Sequence, residues 1–406
     1  MKFKELTINE WKQFQKIEID FHERLTIFTG ANGSGKTTLL NLLARHFGWD
    51  FIELATPAKD EETGFFRFFT RFFKKKIEAE ENIIGKMTYD DNQVANLSIP
   101  DNDSAQYKIA FIPKISVKGL NIVSHREIFK YQNIPSIATK KRSKQDAFDL
   151  LNGSNKTSQF QVGFYEHKPI NFQIKETLLS WAIGGSGNEF IQADPELKQY
   201  FLEFRDILKN LLPKSIGFKD ISIRNYEIVL ITDSGDFMLD SVSGGIASII
   251  DLGWQIFNFI GTNEPTIVLI DEIENHLHAS MQRTILPDLI NTFPNIQFVV
   301  STHSPLVVGS VKDSNVYAFR YNVEKKVYSE KLDLINKAKT ATEILNDVLG
   351  VPFTMPIWVE DSLNEIVKKY SSMEINEINT DLMRTELKTI GLESLMPLAI
   401  INLFGK

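Results

Sequence analysis

The chain has 406 residues, 43% of them apolar, a net charge of −7 and no cysteine. That length exceeds a single compact core; the missing thiols exclude disulfides and thiolate metal centres, and the charge balance excludes a surface that is basic throughout. The opening MKFKELTINEW lacks an apolar signal core, and no run approaches the ~18 apolar residues of a bilayer span, so the expectation is a cytoplasmic chain with no membrane partner.

Phe3 to Phe28 alternates well enough for two or three strands, the last a short buried one at Leu25–Phe28. They feed Gly30-Ala31-Asn32-Gly33-Ser34-Gly35-Lys36-Thr37-Thr38, which fits G-x-x-x-x-G-K-[ST], the phosphate-cradling P-loop. Leu39, Leu40, Leu42, Leu43 and Ala44 then give an apolar helix face. In such a strand–loop–helix the glycines let backbone N–H groups turn onto phosphates, and the helix points its positive end at them. The expected contacts of an ATP molecule are Gly30, Asn32, Gly33, Ser34, Gly35, Lys36, Thr37 and Thr38. Lys36 would reach the β- and γ-phosphates and Thr37 would hold Mg2+. Trp11 and Phe14, ahead of this strand, either stack on adenine or pack in the core.

Residues 51–82 read as an insertion. Within it, Gly64 to Lys76 carries six phenylalanines that fall within an arc of about 160° at helical spacing, with Arg and Lys on the other side. A helix there would bury its Phe face on its own head, on a partner, or on a membrane surface. Runs at Ile83–Tyr89, Val94–Ile99 and Tyr107–Ile112, split by Asp/Asn/Gly turns, read as a small antiparallel sheet. Leu120–Val123 is a core strand. From Ser124 to Pro213 the pattern is mainly helical and polar, broken at Gly184-Gly185-Ser186-Gly187. The basic run Lys140-Lys141-Arg142-Ser143-Lys144 either touches nucleic-acid phosphates or is a solvated loop.

Strands return at Tyr226–Thr232 and Phe237–Leu239. Ser243-Gly244-Gly245 then precedes a long apolar helix, Ile246–Phe259, and offers a second anion site at a helix start. Ile267-Val268-Leu269-Ile270-Asp271-Glu272 is an apolar strand ending in two acids, a Walker B pattern. Asp271 can hold Mg2+ through water; Glu272 can orient and deprotonate the attacking water. A helix, the strand Gln297–Val300, the run Ser301-Thr302-His303-Ser304-Pro305, a hairpin near Val316–Tyr328 and a helical tail complete the chain. His276 and His278, with no cysteine and no third clustered ligand, do not make a zinc site.

These elements, in this order, resemble the ABC-type ATPase heads of the SMC, RecF and OLD group. Ile273-Glu274-Asn275-His276-Leu277-His278 followed by Ser301-Thr302-His303-Ser304-Pro305 looks most like the AAA-family ATPases of bacterial antiphage defence, of the Septu, PARIS and retron kinds. The resemblance covers roughly residues 1–50 and 220–320. It implies an α/β P-loop head with a small antiparallel β subdomain and a compact helical lid. It makes Ser243, Gly244 and Gly245 the signature, Glu274 to His278 the D-loop and His303 the switch histidine, which joins Glu272 and Lys36 in catalysis. Arg126 sits where the glutamine of the Q-loop belongs, either as a phosphate or interface contact or as a surface salt bridge.

The expected segments are 1–124 (P-loop, β subdomain, Phe-rich helix at 64–76), 125–219 (helical lid), 220–335 (signature, Walker B, switch histidine) and 336–406 (helical appendage). The resemblance implies a homodimer or higher even oligomer through shared ATP sites and a separate effector, a nuclease. A RecF- or SMC-like ATPase that loads directly on nucleic acid is the alternative. Pro356 to Asp361 faintly resembles a first TOPRIM acid strand, but the chain ends at Lys406 without the later Asp-x-Asp strand, so no working nuclease is expected in this polypeptide.

Overall fold

The computed structural model describes residues 1–59, 64, 66–69, 83–100, 104–137, 140–150, 168–261, 264–350, 356–371 and 377–404. In chain order its strands are β1 (Phe3–Trp11), β2 (Phe14–Asp20), β3 (Leu25–Gly30), β4 (Glu53–Leu54), β5 (Thr56–Lys59), β6 (Phe66–Phe69), β7 (Ile83–Tyr89), β8 (Val94–Ser98), β9 (Gln106–Tyr107), β10 (Ala110–Ile112) and β11 (Gly119–Ile122). There follow β12 (Phe218–Arg224), β13 (Glu227–Thr232), β14 (Phe237–Met238), β15 (Thr266–Ile270), β16 (Ile296–Ser301), β17 (Asn315–Tyr321) and β18 (Val327–Lys331). The helices used below are α1 (Lys36–Ala44), α2 (Ile170–Ser186), α3 (Pro195–Leu211) and α4 (Gly244–Phe259).

Eleven strands hydrogen-bond into one sheet, in the order β10-β8-β7-β1-β2-β18-β17-β3-β16-β15-β11. Its five-strand end, from β17 to β11, is parallel. Strands β3, β15 and β16 are buried along their whole length, as expected of a parallel sheet covered on both faces. The other end is antiparallel, and alternation sets its register: Leu6, Ile8, Ile17 and Ile19 point inward while Glu18 and Asp20 point out. The antiparallel strands expected between residues 83 and 112 continue the main sheet. β7 pairs with β1 and β2 pairs in parallel with β18, so both ends belong to one sheet.

In the segment expected as a compact helical lid, two helices pack as a layer. Helix α2 buries every residue from Ile170 to Trp181, polar ones included. Helix α3 is capped by Asp194, whose side chain accepts from the Glu196 N–H, and buries Leu197, Phe204, Leu208 and Leu211. Both meet α4 in an aromatic cluster: Trp181 and Trp254 lie 5.3 Å apart, and Phe204 stands edge-on to Trp254 at 4.8 Å. Burial of Lys175 is tolerated because it pairs with Asp240 and Glu227, each at 2.6 Å.

The Phe-rich helix is not found where the structure describes that segment. Phe66–Phe69 is strand β6, antiparallel to β5, and Phe66 is exposed. Phenylalanine favours strands as readily as helix faces, and Phe-Arg-Phe satisfies a period of two as well. Residues 70–76 lie outside the described residues. The expected boundary at 219/220 falls inside β12, and the one at 335/336 falls inside the short helix Leu334–Lys337.

By its contacts the chain divides into two units, Met1–Lys339 and Thr340–Lys406. The second is helical: Ile357–Ser371, Glu377–Thr389 and Met396–Phe404 share a core that includes Leu363, Met383, Leu387 and Ala399. Glu360 and Asp361 therefore sit on a helix with period 3.6, which overturns the likeness to a TOPRIM acid strand.

Candidate nucleotide site

Because β3, β15 and β16 are parallel and adjacent, their C-terminal ends open on one edge of the sheet. Three of the predicted motifs leave from that edge: the P-loop after β3, Asp271–Glu272 after β15, and Thr302–His303 after β16. Loops at the carboxyl ends of parallel strands are the natural ligand-binding edge of such sheets.

The P-loop turns through left-handed backbone at Gly33 (φ 76°) and Gly35 (φ 94°). At Gly35 a side chain is also excluded by space, since a Cβ would lie 2.4 Å from the Phe14 ring. The buried Ser34 hydroxyl has no hydrogen-bond partner. The Lys36 ammonium donates to the carbonyls of Gly30 (2.9 Å) and Ala31 (3.0 Å). Burial pushes its pKa down to about 8, against the pull of Asp271, Glu272 and Glu274. A glycine-lined turn, an unpartnered hydroxyl and a half-desolvated ammonium suit a polyphosphate.

The Thr37 hydroxyl lies 2.9 and 3.2 Å from the two carboxylate oxygens of Asp271. The Ser301 hydroxyl donates to Asp271 Oδ1 at 2.5 Å and accepts from the Glu272 N–H at 2.8 Å. Burial raises the Asp271 pKa, and a nearby cation would pull it down again. A hydroxyl beside a carboxylate is a hard-oxygen pair, which suits Mg2+.

Glu272 has φ 45°, a left-handed conformation uncommon for a residue with a side chain. Its carboxylate accepts from Asn275 Nδ2 at 2.8 Å and lies 3.9 Å from His303 Nε2. Burial, then the Lys36 charge, lowers the His303 pKa against the pull of Glu274, Glu272 and Asp271, which favours the neutral imidazole. Glu274 takes two donors from the loop after β16: Thr302 Oγ1 at 2.8 Å and the His303 N–H at 2.5 Å.

Ser243 is exposed at the N-cap of α4, and its side chain makes no cap bond. Gly244 and Gly245 begin the helix, and a Cβ on Gly245 would come within 2.9 Å of the His276 carbonyl. The Ser243–Gly245 turn therefore packs against the loop that carries His276 in the same chain. Asn32 is exposed and Thr38 half-buried on the P-loop and the start of α1.

The assignment of Arg126 changes, and the alternatives left open for Trp11, Phe14 and the basic run are decided. Arg126 is buried, and its guanidinium donates to Ser248 Oγ (3.1 Å) and, at 3.4 Å each, to the carbonyls of Asp271, Glu272, Ile273 and Asn275. It clamps the Walker B turn to α4 and is neither a free phosphate contact nor a surface ion pair. Trp11 and Phe14 are buried in the core, with the Trp11 indole donating to the Tyr107 hydroxyl at 3.0 Å, so neither presents a face to adenine. In the basic run, Lys141 pairs with Asp194 and Glu196, Arg142 pairs with Glu176, and Lys144 covers the Phe257 ring. Those charges already have partners within the fold. His278 is committed as well, capping the short helix Ala279–Gln282.

Sequence reasoning gave no separate role to Ser301, Glu274 or Asn275. The available signal was hydroxyl and carboxamide side chains crowded at the ends of two otherwise apolar strands.

A family model described as AAA ATPase domain matches residues 1–308. The Septu protein PtuA of Bacillus thuringiensis is 23% identical over 379 residues, which are 88% of this chain and 86% of that protein. The retron Vc95 probable ATPase of Vibrio cholerae serotype O1 biovar El Tor is 23% identical over 450 residues, covering 92% of this chain and 83% of that one. Among solved structures, the SMC head domain from Thermotoga maritima aligns with 82% of this chain and all of its own, at 13% identity and a TM-score of 0.44.

Proposed function

The chain belongs to the AAA ATPase domain family, and from that premise we propose that it is the ATP-driven switch of a bacterial antiphage defence system, acting as a pair of chains. Residues Gly30 to Gly35 would wrap the phosphates with backbone N–H groups, with Asn32 at the rim and the Ser34 hydroxyl donating inward. Lys36 would neutralise the β- and γ-phosphates, and Thr38 would close the α-phosphate side. Thr37 and Asp271 would hold Mg2+, which supplies charge neutralisation across the phosphates. Glu272 would orient and deprotonate the attacking water, and His303 would donate a hydrogen bond toward the γ-phosphate.

One observation carries the dimer reading. Lys36 and Thr37 at the start of α1, Asp271 and Glu272 just past β15 and His303 just past β16 lie at one edge of the parallel sheet, whereas Ser243 stands exposed on another element with an uncommitted hydroxyl. A second chain related by a two-fold axis would bring its Ser243 to this site and receive the same in return. ATP binding would then close the pair and hydrolysis release it. Lys36→Ala is expected to abolish hydrolysis; a wild-type rate in that variant would refute the site.

The output we assign is control of a separate effector, a nuclease. The likeness to Septu and retron ATPases supports it, as does the helical form of Ile357–Ser371, which offers no acid strand for cleavage. Among the described residues no helix is long and apolar enough to cross a membrane, which accords with cytoplasmic work. Purification from the native host is expected to recover the nuclease with the chain. Salt-dependent DNA binding by the chain alone would favour the loading alternative.

A further inference from the structure

Glu274 lies two residues beyond the proposed water-activating Glu272, on the turn that follows β15, yet neither of its carboxylate oxygens faces its own strand's loop. Both reach across to the loop after β16, one to Thr302 Oγ1 and one to the His303 N–H. An ionised carboxylate so near a polyphosphate site would repel the nucleotide if its charge were free. Here two donors engage it, and charge-assisted bonds of this kind are about twice as strong as neutral ones. The flanking carbonyls of Ile273 and Asn275 accept from Arg126, and Asn275 Nδ2 donates to Glu272 and to the Ser124 carbonyl. The turn holding Glu274 is therefore fixed from behind, and the switch loop is the part that it can place.

We propose that Glu274 is a positioning residue of the ATPase reaction, its carboxylate fixing where His303 stands relative to Glu272 and the P-loop. The same two bonds join the Walker B turn to the switch loop, so a movement of one is carried to the other. This deepens the ATPase reading and rests on it.

The test is a double-mutant cycle on the full chain. Glu274→Gln can keep both contacts, its amide oxygen accepting from the His303 N–H and its N–H2 donating to the Thr302 hydroxyl, but it removes the charge that strengthens them; Glu274→Ala loses both. The expected result for Glu274→Gln is a kcat lower by about tenfold with KM for ATP within about twofold, and a larger fall for Glu274→Ala. In a His303→Ala background the same substitution should change kcat by less than about twofold, because its effect runs through the histidine. Thr302→Val removes one donor while leaving the carboxylate, and serves as the second variant if the Glu274 variants fail to fold. It should lower kcat by about threefold alone and leave it unchanged beside His303→Ala. A wild-type kcat in Glu274→Ala, or an undiminished loss in the His303→Ala background, overturns the proposal while wild-type hydrolysis and the Lys36→Ala loss leave the ATPase reading standing.

Discussion

Asp251 shows how one buried charge at the residue scale ties stability to pH. It is fully enclosed on α4, accepts from Gln255 Nε2 at 2.8 Å, and burial pushes its pKa up to about 6 despite the pull of Arg126. The unfolded chain releases this proton near the ordinary carboxylate value of 3.8, so between roughly pH 4 and 6 the folded chain holds more protons. Its contribution to stability thus falls as pH rises through that window and stays unfavourable above it. Asp251→Asn should raise the melting temperature at pH 7.5, on the order of 2 °C or more, and by less at pH 4.5. A larger loss of stability at pH 7.5 than at pH 4.5 would show the carboxylate acting instead as the counterion of Arg126. Ser301 gives a second residue-scale prediction. Its hydroxyl aligns both Asp271 and Glu272, so Ser301→Ala should lower kcat by about tenfold with little change in ATP affinity, read by steady-state kinetics and calorimetry. An unchanged kcat would contradict that role. At this scale the sequence spoke clearly where spacing is dictated by chemistry, as in Gly30 to Thr38 and in Asp271–Glu272. It left Arg126 open, because an arginine a few residues past a core strand reads the same whether it meets phosphate or backbone carbonyls.

The strands feeding the site are legible at the element scale because period-two alternation and unbroken apolar runs mark half-buried and fully buried strands differently. β3, β15 and β16 were each located from such runs within a residue or two. The joining of β2 to β18 was not legible, since Phe14 and Val327 are far apart in sequence and no local pattern encodes a parallel pair. β12 was missed because its burial is irregular, with a single fully buried residue, Ile221. The stretch holding α2 and α3 read as mainly helical and polar, a compact lid, and its depth of burial was not legible. Lys175, Glu176 and Asn171 are polar, yet buried ion pairs and hydrogen bonds satisfy them and let α2 sit inside. If these helices form a core layer with α4, truncating its central aromatic should destabilise the chain severely. Trp254→Ala is expected to cost about 3–5 kcal/mol in urea unfolding. A loss below about 1 kcal/mol would return the layer to the status of a loosely attached lid.

For the whole molecule, every residue assigned to the nucleotide lies within Met1–Lys339, and the unit Thr340–Lys406 has its own core. A chain ending at Lys339 should therefore fold and retain Mg2+-dependent ATP hydrolysis, measured by phosphate release; its complete loss would mean that the second unit supports the site. The larger claim is that one chain holds only part of the grip on ATP. The direct measurement is the mass in solution of Glu272→Gln, which should bind without hydrolysing, under saturating Mg2+ and ATP, by sedimentation equilibrium. Two chains are expected with nucleotide and one, 46.4 kDa, without it, and adding Ser243→Arg should keep the chain single while ATP still binds. A species that remains a single chain with ATP bound would contradict the shared site.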